Sequence, residues 1–235
     1  TFSDNRNFRQ GNKDLIPEYT DSYELGYLRY FDKGSFFTSV YYRYRTNVID
    51  RITQASSDTT TITIPVNLSV ENNIGLELNG SYRFSKKVSL NANANIFREQ
   101  REGSYEGMPL NNDAFAMNGR LNLKAQVIKG VDMQANFRYR APQQTTQGRS
   151  KSIYSLDLSA GKDVLEGKGT LVASVRDVFN SRRRRSITDT ETIYNETDFQ
   201  WRARQFLLTF SYRINQKKER GPGGNRGDSG GGDDF

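Results

Sequence analysis

The 235-residue sequence contains no cysteine and no histidine. Without cysteine there are no disulfides, thiolate nucleophiles or cysteine metal sites. Without histidine the chain lacks the commonest general base, the serine and cysteine triads and most zinc chemistry. It also lacks any run of the roughly 20 apolar residues that a transmembrane helix requires. We therefore expect a protein that is not an enzyme, with no catalytic residue, no metal site and no cofactor.

Charge and aromatic content narrow the possible partners. Lysine and arginine total 34 against 27 aspartates and glutamates, a net charge of +7. The basic residues are scattered along the chain rather than clustered with stacking aromatics, so we expect no nucleic acid partner. The 13 tyrosines and 14 phenylalanines against one tryptophan suit aromatic belts at two membrane–water interfaces.

Nine segments alternate apolar and polar residues with a period of two. Such spacing indicates a strand with one face toward an apolar phase and the other toward water, whereas a helix with this spacing would be apolar all round. Seven of the nine predicted strands have nine residues or more, which suits a tilted crossing of a bilayer. The segments cover residues 19–31, 36–45, 74–84, 88–96, 115–127, 131–140, 154–160, 171–175 and 200–214.

The connections between these segments are alternately short and long. Tight turns are predicted near Asp32, Ser85, Lys129 and Glu166, and each is followed, one strand later, by a long polar loop without periodicity. This pattern is typical of a bacterial outer-membrane β-barrel, with short periplasmic turns and long extracellular loops. The predicted fold class is therefore all-β, a transmembrane antiparallel barrel. A soluble β-sandwich is the alternative, although its strands are usually shorter and its loops need not alternate in length.

Alternation also assigns the two faces of the wall. The lipid face should carry Leu76, Leu78, Leu121, Leu123, Phe137, Leu156 and Phe210. The lumen face should carry a mostly cationic set that lines a ligand path or contacts a plug, and both readings stay open: Arg43, Glu77, Arg83, Arg120, Lys124, Arg138 and Arg140. The run Arg182, Arg183, Arg184 and Arg185 in the last long outer loop could bind an anionic ligand or lipopolysaccharide phosphates; the alternative is a solvated charge run.

The strand count predicts an open part of a larger barrel. Closed bacterial barrels have an even number of strands, so nine should be a C-terminal portion whose first and last strands pair with strands outside this sequence. The start at Thr1, without methionine or signal peptide, predicts a processed chain or a fragment. Residues 1–18 should belong to an extracellular loop and 19–214 to the barrel. Residues 215–235, rich in glycine and aspartate, should form a disordered periplasmic tail.

Several segments resemble one known family. Residues 11–27, GNKDLIPEYTDSYELGY, are similar to a recurring segment in the C-terminal barrel half of TonB-dependent receptors. Lys13 and Ile16 depart from the usual proline and lysine at loop positions. Residues 152–158, 175–180 and 208–213 resemble late strands of that family, and residues 230–235 resemble the tails of its Bacteroidetes-type members.

The resemblance implies more than the residues show. It implies a barrel of 22 strands, an N-terminal plug and a TonB-contacting segment upstream of this sequence. The implied function is TonB-energised uptake of a scarce nutrient, such as a siderophore, an oligosaccharide or a peptide, across the outer membrane of a Gram-negative bacterium. A non-transporting structural barrel in an outer-membrane assembly is the alternative. Implied partners are membrane lipid, lipopolysaccharide, TonB and a surface lipoprotein or other envelope proteins.

In that family the final strand is the assembly signal, here Phe206, Phe210 and Tyr212.

Overall fold

The computed structural model describes residues 6–57, 60–68, 70–126, 128 and 130–214. Nine long strands form one antiparallel sheet in which each strand pairs with its neighbours in the chain. This sheet is the wall, and the nine predicted strands are confirmed. The strands are β1 (Tyr19–Phe31), β2 (Gly34–Thr46), β3 (Val70–Ser85), β4 (Val88–Glu102), β5 (Asn112–Ala125), β6 (Val131–Arg140), β7 (Ile153–Val164), β8 (Gly169–Arg176) and β9 (Gln205–Tyr212).

Several strand ends differ from the sequence-based expectation: β3 begins at Val70, β4 runs to Glu102 and β7 to Val164. β5 begins at Asn112, because its polar first residues pair with β4 up to Arg101. β9 begins at Gln205 rather than at residue 200, because residues 200–204 remain irregular. Val127, Lys129 and residues 215–235 lie outside the described residues, so the proposed tail does too.

The strand register separates an apolar outward face from a polar inward face. Leu121, Phe137 and Leu156 stand opposite one another on β5, β6 and β7. On β3 the apolar row runs from Ile74 to Phe84, about the length that crosses a hydrocarbon core.

Aromatic pairs mark both ends of the apolar band. Tyr23 and Tyr42 stack with ring centroids 6.5 Å apart at the end near the long loops. Tyr82 contacts Phe84 edge-on at 4.9 Å at the end near the tight turns. Such belts are characteristic of membrane barrels.

The long loops contain strands of their own, contrary to the expectation of irregular structure. Ile49–Ser57 and Thr60–Asn67 form a hairpin, and Asn7–Arg9 adds to it in parallel. Short strands of the third and fourth long loops form a four-stranded sheet: Gln143–Thr145, Gly148–Ser150, Arg184–Asp189 and Tyr194–Phe199. Their β-branched threonine and isoleucine residues favour strands. These segments were not predicted as strands because they pair with distant loop residues and do not alternate apolar and polar side chains.

The cluster of buried hydrophobic residues lies among these loops. Ile52, Val66, Leu68 and Leu110 are buried together, with Ile64 and Tyr105 packed against them. The wall itself is a single sheet layer, so its apolar side chains stay exposed on the outward face. Among the described residues, no helix has the length and apolar character needed to span a membrane.

Candidate functional site

The inward face of the wall carries all seven residues predicted to face the lumen. Register links them in rows: Arg120 stands opposite Arg138, and Lys124 is connected through Ser89 to Arg83. Arg140 is connected through Asn118 and Asn95 to Glu77, and Arg43 lies two positions from Tyr41 on the same side of β2. Their roles as ligand-path or plug-contact residues stay a prediction.

Three arginines form the wall cluster: Arg120, Arg138 and Arg140. All three side chains are exposed, and within the described part of the chain none has an ion pair. Arg138 also experiences the positive charges of Arg120 and Arg182, and the negative charge of Asp157 that Arg182 binds. Like charges directly opposite on paired strands are destabilising, so this surface favours an anion.

Arg182 leaves the outer loop and binds the wall. Its Nη2 donates to both Asp157 carboxylate oxygens at 2.9 Å and to Ser155 Oγ at 3.3 Å. The turn before it is fixed by buried Asp177, whose carboxylate accepts the backbone N–H groups of Ser181 and Arg182. Arg182 therefore already has an anionic partner.

The other members of the arginine run point to different neighbours. Arg183 Nη1 lies 3.7 Å from Asp198 Oδ2. Arg184 and Arg185 begin the loop strand Arg184–Asp189, where they stand opposite Phe199 and Asp198 of the neighbouring strand. The structure thus does not bring the four arginines together at one point. A shared anion site at this run remains a prediction without a geometric basis.

A buried ion network, not found from the sequence, closes the outer end of the inward face. Glu71 is fully buried, and its two carboxylate oxygens accept from Arg45 Nη1 at 2.7 Å and Arg101 Nε at 3.0 Å. Arg45 also binds Glu18, with Nε donating at 3.0 Å, and Arg101 Nη1 donates to Asp50 at 2.6 Å. We call these five residues the outer ion network. The missed signal was register, because Arg45, Glu71 and Arg101 stand in one row.

Asp50 connects the wall to the loops. Thr146 Oγ1 donates to Asp50 Oδ2 at 3.0 Å. Gln147 accepts the backbone N–H of Thr53 at 2.8 Å and donates to its carbonyl at 3.0 Å. The loop after β2 is thereby joined to the loop after β6, and the shared four-stranded sheet joins the latter to the loop after β8. We call these three loops, residues 47–68, 141–152 and 177–204, the loop cap.

Two inward side chains in the middle of β2 are shielded from solvent by their neighbours in the wall. Ser39 and Tyr41 are 1% and 2% exposed, and Tyr41 donates its hydroxyl to Asn95 Oδ1 at 3.0 Å. Arg43 lies over the Tyr41 ring, 4.3 Å from its centroid. The loop cap contacts the wall where Asp50 pairs with Arg101 and where Asn112 Nδ2 donates to the Gln144 carbonyl at 3.4 Å, whereas the wall cluster is exposed.

Two loop carboxylates have lowered pKa values. Burial raises the pKa of Glu18, but hydrogen bonds from Arg45 and from the Ile49 N–H outweigh it, so the pKa lies below its ordinary value. A hydrogen bond from Lys151 lowers the pKa of Glu196. Both groups are anionic at neutral pH and hold their loops electrostatically. In the part of the chain that the structure describes, no group of three or more acidic side chains is placed to hold a metal ion.

Comparison with known proteins agrees with this geometry. The model of the outer membrane protein beta-barrel family matches residues 1–212, so the chain belongs to that family and lies in the outer membrane of a Gram-negative bacterium. The copper transporter OprC superposes with a TM-score of 0.57 at 15% identity, over 86% of this chain and 33% of OprC. The outer membrane transporter YddB from Escherichia coli gives 0.49 at 15% identity, over 90% of this chain and 35% of its own.

The likeness to OprC supports the barrel fold alone. The chain spans about a third of the length of these transporters. No curated protein matches the sequence. The neighbours are named as transporters and not as enzymes.

Proposed function

We propose that this chain forms the C-terminal wall of a plugged outer-membrane receptor that takes up a scarce nutrient with energy supplied through TonB. A barrel wide enough to contain this wall among many more strands would leak unless its lumen were filled. The plug and the TonB-contacting segment would then be supplied by sequence outside these residues. No covalent chemistry is required of the wall.

The wall cluster is the observation that supports this proposal most directly. Arg120, Arg138 and Arg140 present three positive charges at a polar surface, and none of the three has an ion pair among the described residues. A cationic wall in a low-dielectric surround attracts anionic or polar solutes and raises their local concentration. The proposed substrates are therefore anionic members of the nutrient classes named above: a siderophore, an acidic oligosaccharide or an acidic peptide.

Uptake by cells carrying the intact receptor tests the proposal. The probes are a radiolabelled ferric siderophore, an acidic oligosaccharide and an acidic peptide, each measured with and without TonB. We expect accumulation of one probe that disappears without TonB and falls in the Arg120→Gln, Arg138→Gln double variant. Arg98→Gln is the matched control, because Arg98 lies on the outward face with Asp113.

Two results would contradict the proposal. Uptake that is unchanged without TonB would remove the energised mechanism. Absence of uptake, combined with stoichiometric co-purification of other envelope proteins, would favour a structural barrel subunit instead.

A further inference from the structure

An apolar trough crosses the outward face from β5 to β9. It has a volume of about 660 Å³ and is lined almost entirely by apolar side chains. Its floor consists of small residues, namely Ala125, Ala135, Ala160 and Ala173. Larger side chains border it, with Met133 at the β6 side and Phe206 and Leu208 at the β9 side.

The trough follows two neighbouring rows of the sheet. One row passes from Leu123 through Ala135 to Leu158, and the other from Met133 through Ala160 to Ala173. Five strands at a spacing of about 4.8 Å give a length of about 19 Å. This is a narrow slot, about two residue rows wide, rather than a broad flat patch.

The position of the tight turns places one end of the trough near the periplasmic surface. Pairing of β5 with β6 ends at Ala125 and Met133, immediately before their turn. β7 and β8 continue further, to Val164 and Gly169. Because all the tight turns lie on the same side of the membrane, the trough starts at that side and rises into the bilayer toward β9.

A lysine stands one residue row beyond the trough, on the side of the tight turns. Lys162 lies two residues after Ala160 on the same outward face, opposite Val131 and Leu171. Its side chain is exposed, and no ion pair to it exists among the residues that the structure describes. A lysine at the margin of an apolar face extends its ammonium group to the lipid headgroups.

We propose that this trough binds an acyl chain of an anionic glycerophospholipid of the periplasmic leaflet, with the lipid phosphate held by Lys162. The chain occupies the space above the four alanines, where larger side chains would fill the slot. The ammonium group supplies the charge complementary to the headgroup. This site lies on the opposite face of the wall from the wall cluster and does not depend on the proposed transport function.

Native mass spectrometry of the full-length receptor released from nanodiscs tests the site. The nanodiscs contain phosphatidylglycerol and phosphatidylcholine with identical acyl chains in equal amounts. We expect the wild type to retain phosphatidylglycerol selectively. Lys162→Gln should reduce that selectivity about tenfold, as loss of one charge-assisted contact predicts, and Lys162→Arg should preserve it.

A second pair of variants tests the slot itself. Ala160→Phe fills the floor and should abolish retention. Ala92→Phe makes the same change on the same face outside the trough, opposite Leu121, and should leave retention unchanged. Heat-modifiable migration in electrophoresis verifies that each variant is folded, and Lys162→Gln remains informative where Ala160→Phe does not fold.

Three outcomes would overturn the proposal. Equal retention of the two lipids by the wild type would show that Lys162 does not select an anionic headgroup. Unchanged retention in folded Ala160→Phe would place the lipid elsewhere. Selective retention of lipopolysaccharide would identify a different occupant. So would a protein that co-purifies in stoichiometric amount and protects the trough residues from chemical labelling.

Discussion

At Gly75 the inward face carries no side chain because Tyr41 of the neighbouring strand occupies that space. A Cβ at Gly75 would lie 2.4 Å from the Tyr41 ring and hydroxyl and 2.8 Å from Phe97 Cβ. The ring is in turn fixed by its hydrogen bond to Asn95. The glycine is therefore required by close packing at this position and not by an unusual backbone angle.

Gly75→Ala should destabilise the intact receptor by about 1–3 kcal/mol, the usual cost of overpacking. Equilibrium unfolding in detergent measures the change in free energy. Gly80→Ala in the same strand is the control, since a Cβ there meets nothing within 4 Å. Equal losses in both variants would show that strand glycines matter here for a reason other than the Tyr41 ring.

Neighbouring residues on β5 test the assignment of the two faces. Leu123 lies outward and Asn122 inward, paired with Asn91 and Asn136. Leu123 lies two residues from the end of β5, so Leu123→Arg should cost less than the about 2–4 kcal/mol of a midplane site but more than Asn122→Arg, which should cost little. Refolding yield of the intact receptor into vesicles, compared across the two variants, gives the answer. Similar damage from both would mean that the faces are assigned wrongly.

At the scale of elements, the outer ion network connects β2, β3 and β4 to Ile49–Ser57, the first strand of the loop hairpin. Glu71→Gln should cost about 1–3 kcal/mol, because it removes the buried carboxylate that Arg45 and Arg101 share, while Glu18 and Asp50 remain as their partners. Unfolding free energy and proteolysis of the hairpin should both change. Asp113→Asn breaks the exposed pair with Arg98 and should cost at most about 1 kcal/mol. Comparable losses would indicate that the network is solvated.

Glu18 makes the stability of the outer ion network dependent on pH. Since its folded pKa is lowered, its contribution is complete above the unfolded value and is lost as the pH falls through the folded value. The protection factor of the Ile49 N–H against hydrogen exchange should therefore fall below about pH 4.5, because this N–H donates to Glu18 at 3.1 Å. Glu18→Gln should remove the acid-dependent step. Persistence of the step in that variant would assign it to another carboxylate.

The wall strands could be predicted from the sequence because a membrane imposes a period of two on every strand. β8 illustrates this, since Leu171, Ala173 and Val175 were enough to place it despite Val172 on the inward face. The loop hairpin Thr60–Asn67 could not be predicted, because its partners include Asn7–Arg9 and its two faces are both partly polar. Glu71 appeared as an ordinary polar residue until register placed it between Arg45 and Arg101.

For the molecule as a whole, the last strand is the element that we expect the insertion machinery to read. Phe206, Phe210 and Tyr212 lie on the outward face of β9, and Phe210 and Tyr212 stack at 6.5 Å. Deletion of residues 215–235 should leave insertion intact, while Phe210→Asp should abolish it. Outer-membrane fractionation of cells measures both. Loss of insertion only on deletion would make the terminal segment, including Phe235, the signal.

The interlocked loop cap has an immunological consequence. Residues that are far apart in the chain, such as Thr53 and Gln147, lie side by side in the loop cap, which we expect to face the medium. Antibodies raised against the folded protein should therefore recognise discontinuous epitopes, and synthetic peptides copied from one loop should compete poorly for them. An immunogen meant to imitate this surface would need the three loops together on a scaffold that reproduces their spacing.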